Sequence, residues 1–153
     1  MNLERLILSL KESEGYRRLP YQDSLGFWTV GWGHYIHKDI LQHTGTLTFS
    51  ELMSYYSDPK KHQTWLESDV QSAIAGAKKW VGDPLWNAIT DLRREVVVEM
   101  RFQLGGKQEK FVSMKAMLDD HNYEAVAKSM LDSLWATQTP QRVHRMAQHM
   151  KTG

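Results

Sequence analysis

The chain has 153 residues, 19 Lys and Arg against 18 Asp and Glu for a formal net charge of +1, and no cysteine. That length fits one domain with a core of its own. The even charge leaves no electrostatic footprint for nucleic acid, and the missing thiols exclude a disulfide framework, a thiolate metal site and a cysteine nucleophile.

At the start, Leu3, Leu6, Ile7 and Leu10 are interrupted by Glu4, Arg5, Ser9 and Lys11. This is the stripe of an amphipathic helix, not the unbroken apolar run of a signal peptide or a membrane span. Such a chain is expected to be made and to fold in a cytoplasm, with separate help if its target lies outside. Asn2 caps this first helix, which runs to about Ser13 and stops at Gly15. From Tyr16 to about Ile36 the pattern changes. Pro20 and Gly26 punctuate it, Asp23-Ser24-Leu25-Gly26 is a turn, and Phe27 to Val30 is β-prone, which predicts a small three-stranded antiparallel hairpin. Residues 37–57 read as a loop with one or two short helices, where Thr48 and Glu51 form a capping-box pattern.

Asp58-Pro59 is a helix start. Leu66, Val70, Ile74, Ala77 and Val81 then recur at helical spacing until Gly82, predicting a rod of about 22 residues and roughly 33 Å. Asp83-Pro84 repeats the start signal. Helices are expected over 84–90, 91–104, 107–119, 123–134 and 140–151, broken at Gly105-Gly106, His121-Asn122 and Thr139-Pro140. The fold class is α+β. Residues 1–153 form a single domain with a small N-terminal lobe of about 1–60, a connecting helix of about 59–81 and a helical lobe of about 80–153. Two lobes on one helix would leave a cleft for a ligand.

The stretch SEGYRRLPYQDSLGFWTVGWGH, residues 13–34, carries the candidate chemistry. Glu14 lies at the end of the first helix, where the negative end of the dipole and partial burial both disfavour its anion. A raised pKa is what a general acid requires. Asp23, in a polar turn, is expected to stay ionised. Two carboxylates with environments that pull their pKa values apart fit the acid/base pattern of glycoside hydrolysis. Thr29, facing inward from the next strand, would hold a water. The same residues also fit a surface Glu at a helix end and a turn-forming Asp.

Glu14-Gly15, Tyr21-x-Asp23 and Thr29-Val30-Gly31-x-Gly33-His34 together resemble the phage-type lysozymes, glycoside hydrolase family 24, whose catalytic pattern is Glu-x8-Asp-x5-Thr. The resemblance continues through Leu66–Ala73, through Pro84-x-x-x-Ala88, Arg93-Arg94 and Phe102-Gln103-Leu104-Gly105, and into Trp135-Ala136-Thr137-Gln138-Thr139-Pro140-Gln141-Arg142, which is close to a motif of the T-even phage branch. It implies a lysozyme-like fold and a muramidase. Such an enzyme cleaves the β-1,4 bond between N-acetylmuramic acid and N-acetylglucosamine in peptidoglycan. By position, Glu14 would protonate the leaving oxygen, Asp23 would be the carboxylate on the other face of the sugar, and Thr29 would help place the attacking water, with inversion of the anomeric centre. The resemblance further implies a monomeric endolysin. It would wait in the host cytoplasm for a holin-type protein, then act on periplasmic peptidoglycan and lyse the cell. A catalytically inactive peptidoglycan-binding module and a lytic transglycosylase are the alternatives. The first gives no chemical reason for keeping all three residues, and the second needs no water-activating carboxylate such as Asp23.

Among the remaining candidates, His34 is expected beside the acid and within reach of Asp69, as a substrate-side support or as a structural link. Trp28 and Trp32 are the aromatic residues expected at the sugar, whereas Trp65, Trp80, Trp86 and Trp135 are expected in the core. Gln103, Gln138 and Thr139 are sugar contacts by resemblance, with helix capping by Thr139 as the alternative. His34 and His37 face opposite sides of a strand and no cluster of three ligands appears, so no metal is expected, and neither is another cofactor, nucleic acid or stable membrane insertion. In the last helix, Val143, Met146, Ala147 and Met150 make the buried stripe. Arg142, His144, Arg145, His149 and Lys151 form a basic face that is solvated or meets anionic polymer.

Overall fold

The computed structural model describes residues 1–43 and 45–153. The chain falls into two compact units, Ile7–Gln71 and Met1–Leu6 with Ser72–Gly153.

In the first unit, helix α1 (Leu3–Glu14) runs in from the other unit, and Gly15 ends it as its N–H bonds the Lys11 carbonyl. A three-stranded antiparallel sheet follows in the order β1 (Arg17–Gln22), β2 (Trp28–Gly31), β3 (His34–Tyr35). Its register pairs Tyr21 with Thr29 and Thr29 with Tyr35, while Val30 pairs with His34. Directly opposed residues share a face of a sheet and neighbours along a strand alternate. One face therefore carries Tyr21, Thr29 and Tyr35, and the other carries Trp28 and Val30. That second face is packed: Val30, Ile36, Ile40, Leu52 and Tyr56 form a buried cluster, with Trp28, Met53 and Trp65 against it. Each such side chain contributes about 1.5–3 kcal/mol by leaving water. Ile40 sits on helix α2 (His37–His43), Leu52 and Tyr56 on helix α3 (Phe49–Tyr56). Thr48 caps α3 by accepting the Glu51 N–H at 3.1 Å, as the capping pattern predicts. Thr44, inside the predicted 37–57 loop, lies outside the described residues.

Helix α4 (Pro59–Val81) begins where Asp58 accepts the Lys60 N–H at 3.0 Å. Its residues to Gln71 belong to the first unit and the rest to the second.

The second unit is all helical: α5 (Asp83–Ala88), α6 (Asp91–Leu104), α7 (Val112–Asp119), α8 (Tyr123–Leu131), α9 (Leu134–Gln138) and α10 (Pro140–Thr152). Two predicted helices are shorter than the sequence reading gives. Gly105–Lys110 forms a separate 3₁₀ segment, where the Gln108 side chain turns fully inward and donates to the Val97 carbonyl at 2.9 Å. The predicted 123–134 helix divides at Ser133, which starts α9 by accepting the Ala136 N–H at 3.3 Å. On α10 the predicted stripe of Val143, Met146, Ala147 and Met150 is buried. Its basic face is not wholly solvated. Arg145 reaches buried Glu99 at 2.9 Å, and the Arg142 side chain, 8% exposed, lies 4.0 Å from the same carboxylate. No helix among the described residues is long and apolar enough to cross a membrane.

Candidate active site

Helix end, turn and second strand bring the three chemical candidates into the Ile7–Gln71 unit. Glu14 is the last residue of α1 and is half-buried. Its carboxylate rests against Gly33, the glycine between β2 and β3. A Cβ built on Gly33 would lie 2.9 Å from Glu14 Oε2, and the φ of +70° is one that L residues rarely adopt. The glycine thus leaves room for the Glu14 carboxylate to approach the backbone closely.

Asp23 follows β1 and is clamped by its own turn. Its Oδ1 accepts the N–H groups of Leu25 and Phe27, both at 2.9 Å. The Asp23 N–H in turn donates to the Phe27 carbonyl at 2.9 Å. Thr29 Oγ1 donates to that same Phe27 carbonyl at 3.1 Å, so its hydrogen is engaged and its lone pairs remain to accept.

Tyr21 lies within reach of the charge of both carboxylates, a position sequence reasoning did not assign a part. Burial holds its phenol above the ordinary value. The Arg17 guanidinium, 4.2 Å over its ring, opposes this, and the charges of Glu14 and Asp23 reinforce it. The signal was present in the alternation of a strand, since Tyr21 precedes Asp23 by two residues and pairs with Thr29 across the sheet.

His34 Nδ1 meets Asp69 Oδ2 at 2.7 Å, the pair that the sequence places on β3 and α4. The imidazole also stacks on Trp65 at 4.7 Å and 11°. Trp32, between Gly31 and Gly33, packs on Tyr16 with centroids 4.6 Å apart and lies under Lys11 Nζ at 4.5 Å. Trp28 differs from expectation. The pleat turns it to the packed side of the sheet, against the buried cluster.

Gln103, Gln138 and Thr139 lie in the other unit. Gln103 Nε2 donates to Thr139 Oγ1 at 3.1 Å, and Gln103 Oε1 accepts the Trp135 Nε1–H at 2.8 Å. Thr139 stands at the N-terminus of α10 but makes no side-chain cap there. Its hydroxyl is held by Gln103 and by the Trp135 carbonyl instead. Gln138 is exposed at the end of α9.

The small antiparallel sheet and the surrounding helices make an α+β fold. The model of the phage lysozyme family matches residues 11–149, and the chain belongs to that family. It is 24% identical to probable T4-type lysozyme 1 of Dictyostelium discoideum, over 94% of this chain and 92% of that protein. It is 29% identical to the pre-baseplate central spike protein Gp5 of Enterobacteria phage T4, over 94% of this chain and 27% of that protein. It is also 29% identical to the peptidoglycan hydrolase gp36 of Pseudomonas phage phiKMV, over 94% of this chain and 15% of that protein. The chain thus spans about a quarter or less of the two phage relatives.

Proposed function

We propose that this chain is a muramidase that hydrolyses the β-1,4 bond between N-acetylmuramic acid and N-acetylglucosamine in bacterial peptidoglycan, acting as a monomeric endolysin. The observation that carries the proposal is the grouping of Glu14, Asp23 and Thr29 in one unit of a phage lysozyme chain, with Asp23 and Thr29 held by backbone hydrogen bonds and Glu14 close against Gly33. Glu14 is the general acid, placed by Gly33, and gives its proton to the leaving oxygen. Asp23 is the anion facing the developing oxocarbenium ion. Thr29, with its hydrogen on the Phe27 carbonyl, accepts from the attacking water and helps turn the water's lone pair toward the anomeric carbon. Asp23 takes the proton that water loses, which gives inversion. His34, Trp32, Gln103, Gln138 and Thr139 are proposed as further supports or contacts for the sugars. Release from the host cytoplasm through a holin-type protein and action in the periplasm complete the proposal.

The test is clearing of a bacterial cell-wall suspension by the parent, Glu14→Gln and Asp23→Asn, with circular dichroism to establish folding. Removing a general acid costs about 10²–10⁴ in rate. Folded variants that clear the wall at the parental rate would refute the assignment.

A further inference from the structure

The chain leaves α1 at Glu14 and enters β1 at Arg17, so Gly15 and Tyr16 alone join the two. Gly15 turns the chain at φ +67°. Tyr16 is 43% exposed, yet its hydroxyl lies 2.7 Å from Nδ1 of His62, a residue of α4 that is 1% exposed. The other ring nitrogen, Nε2, lies 2.6 Å from the Tyr56 carbonyl. A carbonyl only accepts, so Nε2 carries the hydrogen, and in the neutral ring Nδ1 accepts from the phenol. Both polar atoms of a buried imidazole are used, and the direction of each bond is set.

His62 meets the same neighbourhood from a second side. A Cβ built on Gly31 would lie 3.2 Å from His62 Cβ and Cγ, so α4 packs directly on the end of β2. Trp32 follows Gly31, and its ring packs on Tyr16 with centroids 4.6 Å apart. Tyr16 comes two residues after Glu14, and Trp32 directly precedes Gly33, against which the Glu14 carboxylate rests. The contact between Glu14 and Gly33 therefore runs beside a Tyr16–Trp32 contact, and that second contact is anchored by a buried histidine. All of these residues belong to the Ile7–Gln71 unit.

We propose that His62 is a positioning residue for Glu14, acting through the Tyr16 hydroxyl. A helix end is free to fray because its last carbonyls lack intrahelical partners, and Glu14 stands on that last turn. Holding Tyr16 fixes the two-residue exit from α1 and seats its ring on Trp32, so the acid and the Gly33 turn keep their spacing. The inference rests on the proposed muramidase reading, in which Glu14 must deliver a proton to one oxygen.

The test measures initial rates of reducing-end release from soluble glycan strands by the full chain, with folding established by circular dichroism. Tyr16→Phe keeps the ring on Trp32 and removes only the bond to His62. His62→Gln places an amide nitrogen near the position of Nε2, toward the Tyr56 carbonyl, and leaves the phenol without its acceptor. His62→Asn places an amide oxygen near the position of Nδ1 and restores that acceptor. If the acid shifts by about 0.5 Å, kcat should fall about tenfold in Tyr16→Phe and His62→Gln, with KM within about twofold of the parent. His62→Asn should recover most of that loss. Ile40→Val, a core change in the same unit away from this bridge, should lower Tm and leave kcat parental. A parental kcat in folded Tyr16→Phe, equal losses in the two His62 variants, or an equal loss in Ile40→Val would overturn the positioning role and leave the muramidase reading intact. Tyr16→Phe, which removes a single oxygen, decides the matter if a His62 variant does not fold. If the parent releases no reducing ends, the muramidase reading itself fails, and the role of His62 with it.

Discussion

Replacing Gly33 with alanine should cost more in activity than in stability. At φ +70° the new side chain enters the left-handed region, which costs an L residue about 1–2 kcal/mol. For a chain of this size that lowers Tm by about 2–8 °C. The second effect is contact. The added Cβ would lie 2.9 Å from Glu14 Oε2, where ordinary contact begins at 3.4 Å. The carboxylate must therefore retreat by about 0.5 Å, and since a 1 Å misplacement costs about 10²-fold, kcat should fall about tenfold. Gly82→Ala separates the two effects. Its φ is +88° with nothing within 4 Å of the added Cβ, so it carries the strain alone. Melting curves by circular dichroism and initial rates of reducing-end release give both numbers for each variant. Gly33→Ala with a parental kcat, or Gly82→Ala with an equal loss of kcat, would refute the positioning of Glu14 by Gly33.

Glu99→Leu should destabilise the chain by about 1–3 kcal/mol in a denaturant titration, because it removes the buried carboxylate that Arg145 reaches at 2.9 Å. The Met1 ammonium, by hydrogen bond and charge, and Arg94 hold the Asp91 carboxyl below its ordinary value of 3.8. A depressed folded value gives stability that is present above 3.8 and lost as the pH falls through the folded value. The Tm difference between the parent and Asp91→Asn should therefore be constant near neutrality and vanish in acid. Tyr21 and Tyr56 are both raised, chiefly by burial, so their contribution is present below pH 10.0 and lost as the pH rises through the folded values. Tyr21→Phe should show a shallower alkaline loss of Tm than the parent.

Much of this was legible in the sequence for identifiable reasons. The Asp58-Pro59 start and Gly82 stop bound α4 because capping is a local interaction, and the stripe on α10 follows from helical periodicity. The hairpin was readable from its turn residues, whereas the spacing of Glu14, Asp23 and Thr29 alone did not separate a site from a surface Glu and a turn Asp, and only the resemblance to phage-type lysozymes singled them out. What could not be read is what depends on contacts distant in sequence or on face. The pleat decides that Trp28 packs inward while Phe27 and Tyr35 look outward, and register is fixed only once the strands pair. The break at Gly105-Gly106 is legible, but its extension to Lys110 goes with Gln108, whose side chain finds a carbonyl eleven residues earlier on α6. Thr139 was readable as a cap by position, yet Gln103, 36 residues away, takes its hydroxyl.

The central claim is that Glu14 and Asp23 hydrolyse the muramic-acid linkage with water. Mass spectrometry of purified peptidoglycan digested by the parent and by Glu14→Gln tests it most directly. Fragments ending in reducing N-acetylmuramic acid, absent with the variant, are the predicted result. Anhydro-sugar ends would mean that no water enters and would contradict the role of Asp23, while reducing N-acetylglucosamine ends would contradict the bond assigned.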